Sequence, residues 1–158
     1  MSTRSNIVFK RTDKEGFKTI KSVYCHFDGY PGFKRNGEFI GGVGYELLNH
    51  FNTQSQVDEI GLKSIRSISD AQIEYMSDSY EADSYESIEQ YFRMTMGDIW
   101  IEYIYYWDGV QWMLSELVHL DTDKDKYQDI SVPIRTKLKP LQVVIDEIAG
   151  TIPPSDEE

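Results

Sequence analysis

Hydrophobic and polar residues alternate along two stretches near the start of the chain. Residues 6–11 predict a short strand, and residues 17–27 predict a second one. The polar, glycine-closed segment 12–16 between them indicates a β-hairpin. Apolar side chains fall on both faces near the end of the second strand, so we expect that end to be covered on both sides.

A second hairpin is predicted where Asp108-Gly109 separates two β-rich runs, residues 98–107 and 110–117. Asp-Gly is typical of a two-residue type I′ turn, in which both residues take positive φ. This register pairs Trp107 with Val110, Tyr105 with Trp112, Tyr103 with Leu114 and, on the other face, Ile104 with Met113. The aromatic face is expected to lie in the core.

Helical periodicity appears in four places. The predicted helices cover residues 43–51, 55–62, 87–94 and 140–149, the last ended by Gly150. Residues 70–87 contain Asp-Ser-Tyr-Glu twice with a period of five, which fits neither helix nor strand. We expect an acidic loop or a short irregular helix there, and a charged loop at residues 121–129.

These elements predict an α+β fold, with an antiparallel sheet built from two hairpins and three to four short helices packed on it. No strand–helix–strand unit of the parallel kind is evident. The chain has 158 residues, of which 40% are hydrophobic. This length predicts a single globular domain over residues 1–150, followed by a disordered acidic tail at residues 151–158.

The net charge of −11 is unevenly distributed. Residues 1–66 carry a net charge of +3, and the rest of the chain carries −14. Such acidity repels a polyanion, so no direct nucleic-acid binding is expected. Either the acidic region is a solvated surface, or it competes with nucleic acid for a basic partner. No apolar segment is long enough for a membrane span, no leader is visible, and the single Cys25 fits the reducing cytoplasm.

Metal binding is not predicted, because the three histidines are far apart and lack partners at ligand spacing. Asp121, Asp123 and Asp125 resemble the start of a calcium loop. However, Lys126 stands where that loop needs glycine, and Val132 stands where it needs glutamate. No cofactor is expected either.

Catalysis has one candidate pair. His26 and Asp28 are two residues apart on an extended segment, where side chains point the same way. They could act together as a general base, but no nucleophile or second acid accompanies them. The sequence therefore favours a non-enzymatic function and leaves a hydrolase using His26 and Asp28 as an alternative.

Residues 28–44 form a long, glycine-rich loop that precedes the helix over 43–51. Glycines at a helix start let backbone N–H groups approach an anion, which the helix dipole also favours. The expected ligand-binding residues are Tyr24, His26, Asp28, Tyr30, Lys34, Arg35, Gly42 and Gly44. The alternative is structural: His26 and Asp28 tie the loop down, and the glycines form a turn into the helix.

The run Val23-Tyr24-Cys25-His26-Phe27-Asp28-Gly29-Tyr30-Pro31 is followed by Gly42-Val43-Gly44 and Leu47-Leu48-Asn49-His50-Phe51. These motifs resemble a family of small uncharacterised bacteriophage proteins with the pattern Tyr-x-His-Trp/Phe-Asp-Gly-Tyr-Pro. The hairpin Trp107-Asp108-Gly109-x-x-Trp112 resembles the same group. The resemblance implies a phage accessory protein in the cytoplasm of the infected host cell, acting against host defence.

Besides the hydrolase alternative, two binding hypotheses remain open. In the first, the loop binds a small anionic ligand such as a nucleotide signal. In the second, the chain is an acidic protein-level inhibitor that mimics nucleic acid and blocks a basic groove of a host defence protein, as anti-CRISPR and anti-restriction proteins do. The residues expected to contact such a partner are Glu74, Asp78, Glu81, Asp83, Glu86 and Glu89.

Overall fold

The computed structural model describes residues 3–12, 15–70, 81–95, 101–122 and 130–150. The strands are β1 Ser5–Thr12, β2 Lys18–Cys25, β3 Gly32–Arg35, β4 Glu38–Gly41, β5 Asp83–Tyr85, β6 Tyr103–Trp107, β7 Trp112–Thr122, β8 Ile130–Arg135 and β9 Lys139–Pro140. The helices are α1 Val43–His50, α2 Gln54–Val57, α3 Ile88–Thr95 and α4 Leu141–Ala149, with a 3₁₀ turn at Ile68–Asp70. The predicted tail at residues 151–158 lies outside the described residues.

The α+β class is confirmed, but the sheet is larger and more mixed than two hairpins. Its strand order is β5-β2-β1-β6-β7-β8, and β9 also pairs with β7. The β1–β2 and β6–β7 hairpins form as expected, and they join through a parallel pairing of β1 with β6. That pairing was not predicted, because it joins residues about a hundred positions apart that share no local signal.

Helices cover both faces of the sheet. On one face, α1 and α4 bury Val43, Leu47 and Leu141 against strand residues that include Tyr105 and Trp107. On the other face, Tyr91 of α3 packs with Val8, Ile20, Ile104 and Tyr106. The predicted aromatic face is therefore core. The end of the second predicted strand is covered only in part, because Cys25 is buried but Phe27 is 43% exposed. None of the helices in the described part of the chain is long and apolar enough to cross a membrane.

The β6–β7 register differs from the prediction by two residues. Trp107 lies opposite Trp112, and Tyr105 lies opposite Leu114. A four-residue loop replaces the two-residue turn, because the Asp108 carboxylate accepts hydrogen bonds from the backbone N–H groups of Val110 and Gln111. A two-residue shift keeps every side chain on its face, which is why the predicted core face is still right.

The remaining pairs of the predicted register are also replaced. The structure places Tyr103 opposite Glu116, Ile104 opposite Ser115, and Tyr106 opposite Met113. Val110, expected to pair with Trp107, lies in the loop with 81% of its surface exposed. β7 continues to Thr122, so the first two residues of the charged loop expected at 121–129 belong to a strand. Residues 123–129 lie outside the described residues.

The predicted long loop over 28–44 contains a second small sheet. β3 and β4 pair across a turn in which Asn36 and Gly37 both have positive φ, 54° and 83°. Asn-Gly suits such a turn because both residues tolerate this conformation. Only residues 28–31 and Gly42 remain outside regular structure in this segment.

Three of the four predicted helices are confirmed to within one residue at either end. The fourth, α2, ends at Val57 rather than at residue 62. After it the chain turns, burying Ile60, whose carbonyl accepts a hydrogen bond from Arg11. Residues 70–87, expected to form an acidic loop or a short irregular helix, also differ in part from the prediction. Within them Asp83–Tyr85 pairs with β2 as edge strand β5.

Candidate functional site

Residues 26–31, which we call the motif segment, leave β2 and turn back under α1. His26 and Phe27 donate backbone hydrogen bonds to the carbonyls of Ile65 (3.1 Å) and Arg66 (2.7 Å). At Asp28 the chain takes φ 58°, a left-handed conformation that aspartate tolerates better than most residues. The direction of the chain changes there, so the extended geometry expected from His26 to Asp28 is interrupted.

The first N–H groups of α1 are bonded to protein atoms. Val43 donates to the carbonyl of Asp28 (2.9 Å), while Tyr45 and Gly42 donate to that of Pro31 (3.1 and 3.2 Å). The Gly44 N–H lies near the hydroxyl of the buried Tyr105 and lowers its pKa, against the larger effect of burial, which raises it. The donors of Gly42, Val43 and Tyr45 at this helix end are therefore engaged by the motif segment.

Gly42 and Gly44 allow the motif segment to approach the helix closely. A Cβ on Gly42 would lie 2.1 Å from the carbonyl oxygen of Tyr30. A Cβ on Gly44 would lie 2.8 Å from Cα of Pro31 and 3.0 Å from the Tyr105 ring. These distances are far inside van der Waals contact, so packing alone accounts for glycine at both positions.

The polar side chains of the motif form two separate pairs. The Tyr24 hydroxyl and His26 Nδ1 are 2.8 Å apart, and the Tyr30 hydroxyl donates to the Asp28 carboxylate at 3.1 Å. Burial, followed by the hydrogen bond and negative charge of Asp28, raises the pKa of Tyr30. Within the described residues no hydrogen bond or ion pair joins His26 to Asp28, so the general-base pair of the hydrolase hypothesis is not assembled.

Lys34 and Arg35 lie on β3, where the charge of Arg35 is near enough to Tyr30 to oppose the rise in the Tyr30 pKa. The Arg35 guanidinium lies 5.6 Å from the centre of the Phe33 ring. Lys34 Nζ lies beside Gly150, where an added Cβ would be 3.0 Å from it. Gly150 ends α4, and a cation is favourable at the C-terminal end of a helix. Lys34 therefore has a structural partner in α4.

Asp28 and Tyr24 line different clefts. A cleft of about 660 Å³ beside α1 includes Asp28, Glu46 and His50, and its described lining contains no lysine or arginine. Glu46 and His50 are 3.1 Å apart there. A second cleft, of about 600 Å³, includes Tyr24 together with Arg4 and several acidic and hydroxyl side chains. The expected ligand residues are thus divided between sites, and the site of Asp28 is acidic.

The expected partner-binding residues are grouped more closely. We call the four described ones the acidic edge: Glu81, Asp83, Glu86 and Glu89. They lie within nine residues, on β5 and the segments that flank it, and all four are exposed. None forms an ion pair with a cation among the residues that the structure describes. Glu74 and Asp78 lie outside the described residues.

The hydroxyl of Tyr105 is the structural element that sequence analysis missed. Tyr105 was expected in the core, where it is, but its hydroxyl also donates to the carbonyl of Gly29. A signal was available, because the hydroxyl of a buried tyrosine needs a hydrogen-bond partner. The sequence could not indicate that this partner is the carbonyl of Gly29.

Comparison with models of protein families, with curated proteins and with solved structures gives no significant match to this chain. Function is therefore inferred from the chemistry of the chain's own residues. Among the residues described, no group of three or more His, Cys, Asp or Glu side chains is arranged to hold a metal ion.

Proposed function

We propose that the chain is a non-enzymatic phage accessory protein that acts against host defence as an acidic protein-level inhibitor. Its acidic edge would occupy a basic, nucleic-acid-binding groove of a defence protein. The observation that carries this proposal is the group of four exposed carboxylates around β5 with no ion-pair partner among the described residues. The phage context is supported by the resemblance of the Tyr24–Pro31 motif.

Electrostatics favours this surface over the others described. Unpaired carboxylates project a negative field over about a Debye length, ~10 Å at 0.1 M salt. The region after residue 66 adds to that field with its net charge of −14. Such a field resembles that of a phosphate backbone and accelerates association with a basic groove. Charges on an edge strand also prevent unwanted strand pairing, which is the structural alternative for the acidic edge.

The anionic-ligand hypothesis stays a prediction with less support. The α1 N–H groups are engaged, Lys34 lies beside α4, and the cleft at Asp28 is acidic. Incubation with a panel of nucleotide signals tests it: a ligand retained intact supports it, and a degraded ligand supports the hydrolase. Replacing His26 with Ala should then lower ligand binding per folded molecule, whereas a structural role would lower only stability.

DNA cleavage by a panel of host restriction and CRISPR nucleases tests the proposed function. We expect the chain to inhibit at least one nuclease, with weaker inhibition as salt rises. The variant Glu81→Gln/Asp83→Asn/Glu86→Gln/Glu89→Gln should lose that inhibition while keeping its thermal melt. Inhibition that this variant retains in full would contradict the acidic edge as the contact surface.

A further inference from the structure

The turn end of the β1–β2 hairpin borders a cleft of about 380 Å³ whose lining is rich in basic side chains. Three basic residues line it, Lys10, Arg11 and Lys18. In a chain of net charge −11 this is a local positive region, and it contains none of the residues assigned to either binding hypothesis except Glu86. We propose that this cleft binds a phosphate-type oxyanion.

Strand register brings the two lysines together. Lys10 lies opposite Ile20 and Thr12 lies opposite Lys18, so Lys10 and Lys18 are diagonal neighbours on one face. Diagonal neighbours in an antiparallel pair have Cα atoms about 7–8 Å apart, within reach of two long side chains converging on one anion. Like charges this close repel, and a bound anion would relieve that repulsion.

The carboxylates that line the cleft form no ion pair with these lysines among the described residues. Neither Lys10 nor Lys18 forms an ion pair with a residue in the described part of the chain. Asp108 lines the cleft, but one of its oxygens already accepts two backbone hydrogen bonds from the β6–β7 loop. Glu86 also lines the cleft and is exposed to solvent.

Thr12 adds a neutral donor to the two lysines. Arg11 alternates to the opposite face of the strand, where one guanidinium nitrogen donates to the carbonyl of Ile60 at 2.9 Å. The positive charge of the site therefore comes from Lys10 and Lys18. The Thr12 hydroxyl lies on the same face as the two lysines and can donate as well. These residues match neither the dinucleotide-binding nor the P-loop motif. The proposed ligand is therefore defined only by its phosphate group, which inorganic phosphates and nucleotides share.

Titration of the full chain with inorganic pyrophosphate, and separately with adenosine diphosphate, tests the site by amide chemical shifts. We expect saturable shifts at residues 10–12 and 18–19, and about tenfold weaker binding in Lys10→Gln/Lys18→Gln. The matched control Lys137→Gln/Lys139→Gln removes the same charge from exposed positions in and just before β9, outside every proposed site, and should bind as the wild type does. Equal binding of both probes assigns the site to the diphosphate group, and tighter binding of adenosine diphosphate assigns it to a nucleotide.

Several results would overturn the proposal. These are shifts that do not saturate, equal weakening in both double variants, and a response located at Lys34 and Arg35. Lys10 is half-buried and the other three substituted lysines are exposed, so we expect both double variants to fold. A thermal melt of each variant checks this. Because Lys10 and Lys18 are not part of the acidic edge, failure here leaves the proposed function standing.

Discussion

The hydroxyl of Tyr105 in β6 donates a 2.5 Å hydrogen bond to the carbonyl of Gly29, 76 residues earlier in the chain. The N–H of Gly44, in the first turn of α1, lies near the same hydroxyl and lowers its pKa. One buried phenol therefore joins the motif segment to the central sheet, beside the start of α1. Its burial raises the pKa of Tyr105 well above its ordinary value, so the hydroxyl stays protonated and can donate.

Replacing Tyr105 with Phe should leave the buried carbonyl of Gly29 without the hydrogen bond that Tyr105 donates. We expect a loss of about 1–3 kcal/mol in the free energy of unfolding, measured by urea denaturation. Tyr103→Phe is the control, because it removes a hydroxyl from the same strand where the described residues offer it no hydrogen-bond partner. Equal effects of the two substitutions would contradict the role given to the Tyr105 hydroxyl.

Gly42→Ala should destabilise the contact between α1 and the motif segment. The new Cβ would meet backbone, the Tyr30 carbonyl at 2.1 Å, and overpacking of this kind costs on the order of 1–3 kcal/mol. Glu38→Ala is the control, because it shortens an exposed side chain on the neighbouring β4 and adds no atom near the motif segment. A control as destabilised as Gly42→Ala would argue against backbone contact as the cause.

Local patterns predicted most of the regular elements. Alternation identified β1 and β2, and the apolar stripe ending at Gly150 identified α4. The Asn36-Gly37 turn was missed although Asn-Gly is a strong hairpin signal, because the surrounding glycines suggested a loop. The parallel β1–β6 pairing had no local signal, and it places Tyr105 against Gly29.

The candidate site was less predictable for the same reason. The motif residues were recognisable, but the partners of the α1 N–H groups are set by how the chain folds back. Glycines before a helix can contact a phosphate or contact the protein's own backbone, and sequence does not separate the two. Similarly, the spacing of His26 and Asp28 suggested a pair, whereas the positive φ at Asp28 separates them.

Gly109→Val should destabilise the β6–β7 loop through backbone strain alone. Gly109 has φ 104°, and its Cβ position has only the end of Lys10 nearby, at 3.9 Å. A β-branched residue held at this φ costs on the order of 1–3 kcal/mol. Val110→Ala, at a residue that is 81% exposed, should change thermal stability little. An unchanged melting temperature for Gly109→Val would show that the loop does not require positive φ there.

Stability should fall at high pH because of Tyr91. Burial, partly offset by the hydrogen bond from Asn6, raises the pKa of Tyr91 to about 12 from an ordinary value of 10.0. Above pH 10 the unfolded chain loses this proton before the folded chain does, so unfolding becomes more favourable as pH rises toward 12. The shift of about two units corresponds to roughly 3 kcal/mol. Urea denaturation at several pH values should show a shallower decline for Tyr91→Phe than for the wild type, whereas parallel declines would exclude Tyr91 as a source.

The central claim is that the acidic edge, rather than the total charge of the chain, binds a basic partner. The affinity of the chain for a short oligoarginine peptide tests this most directly. Two variants with equal net charge are compared by fluorescence anisotropy between about 0.05 and 0.5 M NaCl. One neutralises Glu81, Asp83, Glu86 and Glu89, and the other neutralises the exposed Glu15, Glu38, Glu102 and Glu147. The account predicts salt-sensitive binding that the first variant loses by about tenfold or more and the second largely keeps. Equal losses in both variants, or binding that does not respond to salt, would contradict it.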